Sequence, residues 1–207
     1  MVNIVACTPE NLIKAILSLK KGRPVSFPTD TVYALAVPIN HPSGVQKIFD
    51  IKRRPLNLAL PVLIGKAQDI DLVAYDISDT ARHLMHNFWP GALTLVFKKK
   101  PFVPSIVTGG QSTVGVRVAK HNLVNEIIKS LGVPVVGTSA NIHGQPSPTS
   151  AQEVAQQLGN RVKLIFDDEK TNGNVESTII DMSTSIPRIL RQGAVSRKAI
   201  EKICHVL

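Results

Sequence analysis

Phe27-Pro28-Thr29-Asp30-Thr31-Val32-Tyr33-Ala34-Leu35-Ala36 is the stretch from which the fold is read. An apolar run over 25–27 leads into it and reads as a strand. Pro28 stops that run, because proline has no N–H to give to a ladder. Three short polar side chains stand at the strand's end, and a run of small residues follows. Such an arrangement builds the mouth of a binding crevice in an α/β sheet. It equally builds a turn in which Thr and Asp bond their own backbone.

On the N-terminal side, Thr8-Pro9-Glu10 starts a helix: a capping hydroxyl, a proline suited to the first turn, and an acid at the positive end of the dipole. Its apolar face holds Leu12, Ile13, Ile16, Leu17 and Leu19, and Lys21-Gly22-Arg23-Pro24 closes it. On the C-terminal side, Pro42-Ser43-Gly44 opens a short helix with Val45, Ile48 and Phe49 inside. That helix ends in Lys52-Arg53-Arg54-Pro55, and both Lys52 and Arg54 are expected at an exposed helix end. Residues 58–64 are apolar throughout and read as a strand buried on both faces.

Further along, residues 66–72 and 78–87 read as helices. Phe88-Trp89-Pro90-Gly91 turns into a strand over 92–97, which Lys98-Lys99-Lys100-Pro101 should stop as a solvated end. Thr108-Gly109-Gly110-Gln111 is a loop. Residues 113–118 alternate with period two, Thr113, Gly115 and Arg117 on one face and valines on the other. A helix over 122–131 is capped by Gly132, and a strand over 133–138 leads into Ser139-Ala140-Asn141. After a polar loop over 142–149, Ser150-Ala151-Gln152-Glu153 matches a capping box. A strand over 163–166, a polar loop over 167–174, two antiparallel strands over 177–181 and 186–190, and a final helix capped by Ser196 complete the chain. Helices alternating with apolar strands predict an α/β fold: a twisted, mainly parallel open sheet, flanking helices and some antiparallel strands. No repeat or long linker divides the 207 residues, so a single domain over 1–207 is expected.

The composition is 43% hydrophobic but only 4% aromatic, which implies an aliphatic core. A net charge of +9 favours polyanionic partners, from nucleotide phosphates to RNA. Cys7 and Cys204 make neither a disulfide framework nor a metal spacing. No apolar run is long enough to span a membrane, and the N-terminus does not read as a signal peptide. A cytoplasmic protein without membrane association is the expectation.

The phosphate loop G-x-x-x-x-G-K-[ST] and the dinucleotide fingerprint G-x-G-x-x-G are both absent. Lys52 and Arg54 are the strongest phosphate candidates, since phosphoryl transfer needs fixed positive groups aimed at phosphate oxygens. They could equally be solvated cations at a helix C-terminus. Ser139 and Asn141 leave a strand end and could hold ribose, phosphate or a metal-bound water, or simply form a turn. Arg117 is either a surface residue or a clamp for a carboxylate. None of the six histidines has metal-ligand spacing, and Ser139 lacks the partners of a hydrolase triad.

Together and in order, these motifs resemble the YrdC-like family, the threonylcarbamoyl-adenylate synthases. The family pattern P-T-D-T-V-Y-G-L, K-x-R, W-P-G-x-L-T, T-x-G-x-R, S-x-N with P-S-P-T, S-T-I-[IV]-D and R-x-G is met here in sequence. The matching pieces begin at Pro28, Lys52, Trp89, Thr113, Ser139 with Pro146, Ser177 and Arg191. The resemblance implies condensation of L-threonine, bicarbonate or CO2, and ATP into threonylcarbamoyl-adenylate with release of pyrophosphate. A separate protein complex then transfers the threonylcarbamoyl group to adenosine 37 of tRNA, and direct tRNA contact is possible. By the same resemblance, Thr31, Arg117, Gly137 and Ser177 would hold threonine. Lys52, Arg54, Thr113, Ser139, Asn141, Ser147 and Arg191 would hold ATP, with Lys52, Arg54, Ser139 and Asn141 the catalytic set. Mg2+ would arrive on the triphosphate, with no protein-held metal.

The chain departs from the pattern at Ala34, where the family usually has Gly, and at Leu63, where a His is frequent. It also has Leu58 where an ATP-contacting Asn is often found, and Gly137-Thr138 before Ser139. Two other readings remain open at this point: a basic module that binds tRNA or double-stranded RNA without chemistry, and a carbamoyl- or nucleotidyl-transfer enzyme with another acceptor.

Overall fold

The computed structural model describes residues 2–168, 171 and 175–207. Among these residues, eleven strands form one sheet: β1 (Asn3–Ala6), β2 (Val25–Phe27), β3 (Ala34–Pro38), β4 (Val62–Leu63), β5 (Ala74–Tyr75), β6 (Leu93–Lys99), β7 (Thr113–Arg117), β8 (Val135–Ser139), β9 (Leu164–Asp167), β10 (Thr178–Asp181) and β11 (Arg188–Arg191). The helices are α1 (Pro9–Lys20), α2 (Pro42–Lys52), α3 (Ile70–Val73), α4 (Asp79–Phe88), α5 (Ser105–Thr108), α6 (Asn122–Leu131), α7 (Ala151–Leu158) and α8 (Arg197–Glu201).

Local chemistry sets the helix ends much as the sequence predicts. The hydroxyls of Thr8, Ser78, Ser150 and Ser196 accept the backbone N–H three residues on, at 3.2–3.3 Å. Gly22 and Gly132 follow α1 and α6 with φ of +62° and +68°, the left-handed region where a glycine carries no penalty. The expected capping box is shifted by one residue, because Glu153 accepts the N–H of Thr149 rather than that of Ser150.

The strands run β1-β9-β2-β3-β8-β4-β7-β6-β10-β11 across the sheet, with β5 added to β6. The α/β class and the flanking helices are as expected, but the sheet is more mixed. Parallel pairs join β1 to β9, β9 to β2, β4 to β7 and β6 to β10. Antiparallel pairs join β2 to β3, β3 to β8 and β8 to β4 in the middle, and recur at β7–β6, β5–β6 and β10–β11. The reason for β2–β3 lies in the opening stretch. Only residues 28–33 link these strands, far short of the dozen or so residues a parallel crossover needs.

Four elements, β1, β3, β5 and α5, have no counterpart in the sequence reading, which took 34–36 only as a run of small residues. The strand expected over 58–64 shrinks to Val62–Leu63. Pro61 can give no ladder N–H, and the Arg54 side chain holds the carbonyls of Leu58 and Ala59 away from a neighbouring strand. The lysine run stays at the surface, with Lys98 exposed, but it overlaps the end of β6 and its ammonium groups find partners. The strand continues to Lys99, Lys98 pairs with Asp76 at 2.8 Å, and Lys99 and Lys100 donate to the carbonyls of Val103 and Asp71. The polar loop expected over 167–174 lies partly outside the described residues.

Two apolar clusters sandwich the sheet. In β3, Ala34 and Ala36 join Phe27, Leu63 and the inner faces of α1 and α6, while Leu35 and Val37 join α2, α4 and α7 on the other side. Both faces of this strand are therefore buried. The crevice opens where the polar ends of β7, β8 and β10 converge beside the loop after β2.

Candidate active site

The stretch after β2 is both of the things its sequence allowed. Thr29 Oγ1 donates to the carbonyl of Val32 at 2.7 Å and accepts the N–H of Thr31 at 3.1 Å, a side-chain turn. That turn fixes Asp30 and Thr31 against Arg117. The guanidinium donates to Asp30 Oδ1 at 2.7 Å, to Thr31 Oγ1 at 3.0 Å and, through Nε, to the carbonyl of Gly91 at 2.9 Å. Asp30 also accepts the N–H of Lys120 at 2.9 Å. Arg117 is 7% exposed, so the surface alternative for it fails. Burial lowers its pKa and Asp30 opposes that shift. With three N–H groups engaged and five available, a planar anion can still be met from the crevice side.

Lys52 also departs from expectation. It closes α2, yet it is 1% exposed rather than at an exposed helix end. Its Nζ donates to the carbonyls of Ser139 and Asn141 and to Asn141 Oδ1, the last two at 2.8 and 3.0 Å. K-x-R and S-x-N are therefore one hydrogen-bonded unit. The Lys52 pKa is pushed down to about 7, chiefly by burial and then by Arg54, with Glu176 opposing them. Three acceptors face the three protons that the ammonium form carries, a geometry that works against the effect of burial. Asn141 continues the unit, its Nδ2 donating to the carbonyls of Ile142 and Gln145 at 3.0 and 2.6 Å. The Ser139 hydroxyl, by contrast, has no hydrogen-bond partner among the described residues and lines the crevice.

Arg54 is half-buried, and it reaches the crevice while holding Leu58 and Ala59. Arg191, on β11, donates through Nε and Nη2 to the carbonyl of Ser177 at 3.2 and 2.9 Å and through Nη1 to Glu176. The Ser177 and Thr94 hydroxyls share a hydrogen bond of 2.8 Å, and Ser147 donates to Glu176 at 2.7 Å.

These groups surround one crevice of about 390 Å3. Thr31, Lys52, Arg54, Arg117, Gly137, Ser139, Asn141, Ser147, Ser177 and Arg191 all line it. Thr113 does not. It sits opposite Lys98 at the far end of β7, four residues and about 13 Å of strand from Arg117. A larger groove of about 760 Å3 between Lys66 and Pro134 contains none of these residues. Glu176 is the charged lining group that sequence reasoning missed, and His143 and Gln145 line the crevice unforeseen as well. The one signal for Glu176 was its place directly before the S-T-I-I-D run.

Two of the sequence departures find their explanation in packing. The Ala34 methyl is 5% exposed among Phe27 and Leu63, outside the crevice lining, so it does not obstruct the site. Leu63 lies over Gly137, where a Cβ would stand 2.4 Å from Leu63 Cδ1. The leucine and the glycine therefore occupy one space between them.

The Sua5/YciO/YrdC family model, whose description reads "Telomere recombination", matches residues 18–193. The chain belongs to this family. A relative from Pyrococcus abyssi, named threonylcarbamoyl-AMP synthase, is 38% identical over 89% of the chain. One of the same name from Bacillus subtilis is 37% identical over 93%. The chain spans just over half the length of these two relatives, 54% and 56%. Among solved structures, P. abyssi Sua5 complexed with L-threonine superposes with a TM-score of 0.93 at 35% identity, covering all of this chain and 62% of that one.

Proposed function

We propose that the crevice makes threonylcarbamoyl-AMP from L-threonine, bicarbonate or CO2, and MgATP, releasing pyrophosphate, as the names of the relatives suggest. The observation that carries this reading is a crevice with two unlike ends. One presents Arg117 beside Thr31 and suits an amino-acid carboxylate. The rest gathers Lys52 and Arg54, with Arg191 reaching both Ser177 and Glu176, and suits a triphosphate.

In the first step, threonine's neutral amine adds to CO2, which bicarbonate supplies by protonation and loss of water, forming the N–C bond and releasing a proton to solvent. In the second, a carbamate oxygen attacks the α-phosphorus as the bond to the bridging oxygen breaks and pyrophosphate leaves. This chemistry needs alignment and charge neutralisation rather than a protein nucleophile. Arg117 with Thr31 and Ser177 holds the amino acid, and Gly137 leaves room beside it. Lys52, itself fixed by Ser139 and Asn141, sets the field at the phosphates, while Arg54, Arg191, Ser139 and Ser147 offer donors. Among the described residues no group of three His, Cys, Asp or Glu side chains stands together for a metal ion. In this reading magnesium arrives on the nucleotide, held by its phosphate oxygens.

The test is pyrophosphate release with each substrate omitted in turn. Release that ignores threonine overturns the reading, and serine tested in place of threonine decides whether another acceptor is used. The product would feed a separate complex that modifies adenosine 37 of tRNA, and the charge of +9 supports contact with that polyanion. Among the described residues no helix is long and apolar enough to cross a membrane. A cytoplasmic setting is part of this reading.

A further inference from the structure

Among the described residues that line the crevice, Glu176 is the one carboxylate. It stands at the end proposed for phosphate, where three cations gather and an anion is due to bind. One of its oxygens accepts the Ser147 hydroxyl and the other accepts Arg191 Nη1. Neither contact is needed to hold Arg191 in place. The guanidinium is anchored by Nε and Nη2 on the carbonyl of Ser177. Its strand end is clamped as well, because Gly193 lies so close over 176–178 that a Cβ would stand 2.3 Å from the Glu176 carbonyl oxygen. The carboxylate therefore occupies donors that are already positioned, and a phosphate group would use the same donors. The pair is about one-third to two-fifths exposed, 34% for Glu176 and 41% for Arg191, so exchanging partners requires no opening of the core.

We propose that Glu176 is an internal competitor for nucleotide phosphate. In the free site its carboxylate takes Arg191 and Ser147, phosphate oxygens displace it, and its return helps expel pyrophosphate. This rests on the reading of the crevice as a nucleotide site. The consequence has an unusual sign, because removing the charge strengthens ligand binding, whereas loss of a supporting residue weakens it.

The experiment is titration calorimetry of MgATP and of magnesium pyrophosphate into the wild type, Glu176→Gln and Glu176→Ala. Expected is binding about three- to tenfold tighter in both variants, in keeping with a solvent-screened pair, and threonine affinity unchanged. The gain should vanish when Arg191→Ala is combined with Glu176→Gln. Equal or weaker binding by the variants, at a wild-type melting temperature, overturns the proposal while the nucleotide reading stands. If Glu176→Gln alone melts early, Glu176→Ala carries the same comparison. Failure of the wild type itself to bind either ligand overturns the nucleotide reading, and the proposal with it.

Discussion

The two ends of the crevice hold their cations in opposite ways. At the Arg117 end the charge is matched one for one: Arg117 pairs with Asp30, and the pair is buried, with side chains 9% and 15% exposed. At the Lys52 end three cations, Lys52, Arg54 and Arg191, share one carboxylate, Glu176. A matched, buried end is rigid and selects by shape and hydrogen bonding, since a buried ion pair contributes geometry more than net stability. An unmatched end holds excess positive potential and gains most when a polyanion arrives. The contrast separates a small amino acid from a triphosphate within one cavity.

Breaking the matched end should have the largest effect. Arg117→Ala leaves Asp30 without its ion partner, which costs about 3–5 kcal/mol for a buried pair. At roughly 2–4 °C per kcal/mol for a chain of this size, the melting temperature should fall by about 6–20 °C. Threonine-dependent pyrophosphate release should be lost with it. A variant that melts like the wild type would show that the two ends do not differ as described.

At the unmatched end, position in the fold should separate two cations that the sequence presents alike. Lys52→Ala strands three carbonyl acceptors and should destabilise by about 1–3 kcal/mol. It should also slow pyrophosphate release about 100-fold or more, the scale of losing a preorganised charge-stabilising group. Arg54→Ala, at a half-buried position, should lower the rate about tenfold with stability within about 1 kcal/mol of the wild type. Thermal melts and steady-state rates on the two variants test this, and equal melting temperatures would contradict the separate roles.

That Lys52 and Arg54 look alike in sequence shows where sequence reading stops. Helix starts were legible because a cap is local: Thr8 and Ser196 bond residues three positions on. The alternation in β7 correctly put Arg117 on one face with Gly115. Contacts distant in sequence were not legible. Nothing near Lys52 announces that Ser139 and Asn141, 87 and 89 positions away, will enclose its ammonium. Nor does composition reveal that a run over 58–61 will be held as a loop by an arginine. Glu176 escaped for the same reason, since its partners, Ser147 and Arg191, are 29 and 15 residues distant. The order of the motifs pointed to the family, but only the three-dimensional contacts divide the site residues into donors facing the crevice and groups that hold those donors.

The smallest effect sharpens the comparison most, because it concerns only the unmatched end. Lys52 has a pKa near 7 in the folded chain against 10.5 ordinarily. Incoming phosphates favour the ammonium and raise that value, so MgATP binding above pH 7 must draw in a proton. Affinity should therefore fall about fivefold between pH 7 and pH 8, as the protonated share drops from about one-half to about one-tenth. Calorimetry in Tris and in HEPES, whose ionisation enthalpies differ, should show uptake approaching one proton at pH 8. Folding runs the other way. The unfolded chain binds the extra proton between pH 7 and 10.5, so the contribution of Lys52 to stability improves as pH rises through that window and is lost as pH falls through 7. Weaker nucleotide binding by a protein that is becoming more stable cannot be ascribed to unfolding. In Lys52→Arg the charge no longer titrates, and the pH dependence of binding should flatten. A wild type whose affinity is level from pH 7 to 8, with no proton uptake, would mean that the Lys52 ammonium is already fully formed before the phosphates arrive. The three carbonyls around it would then outweigh its burial.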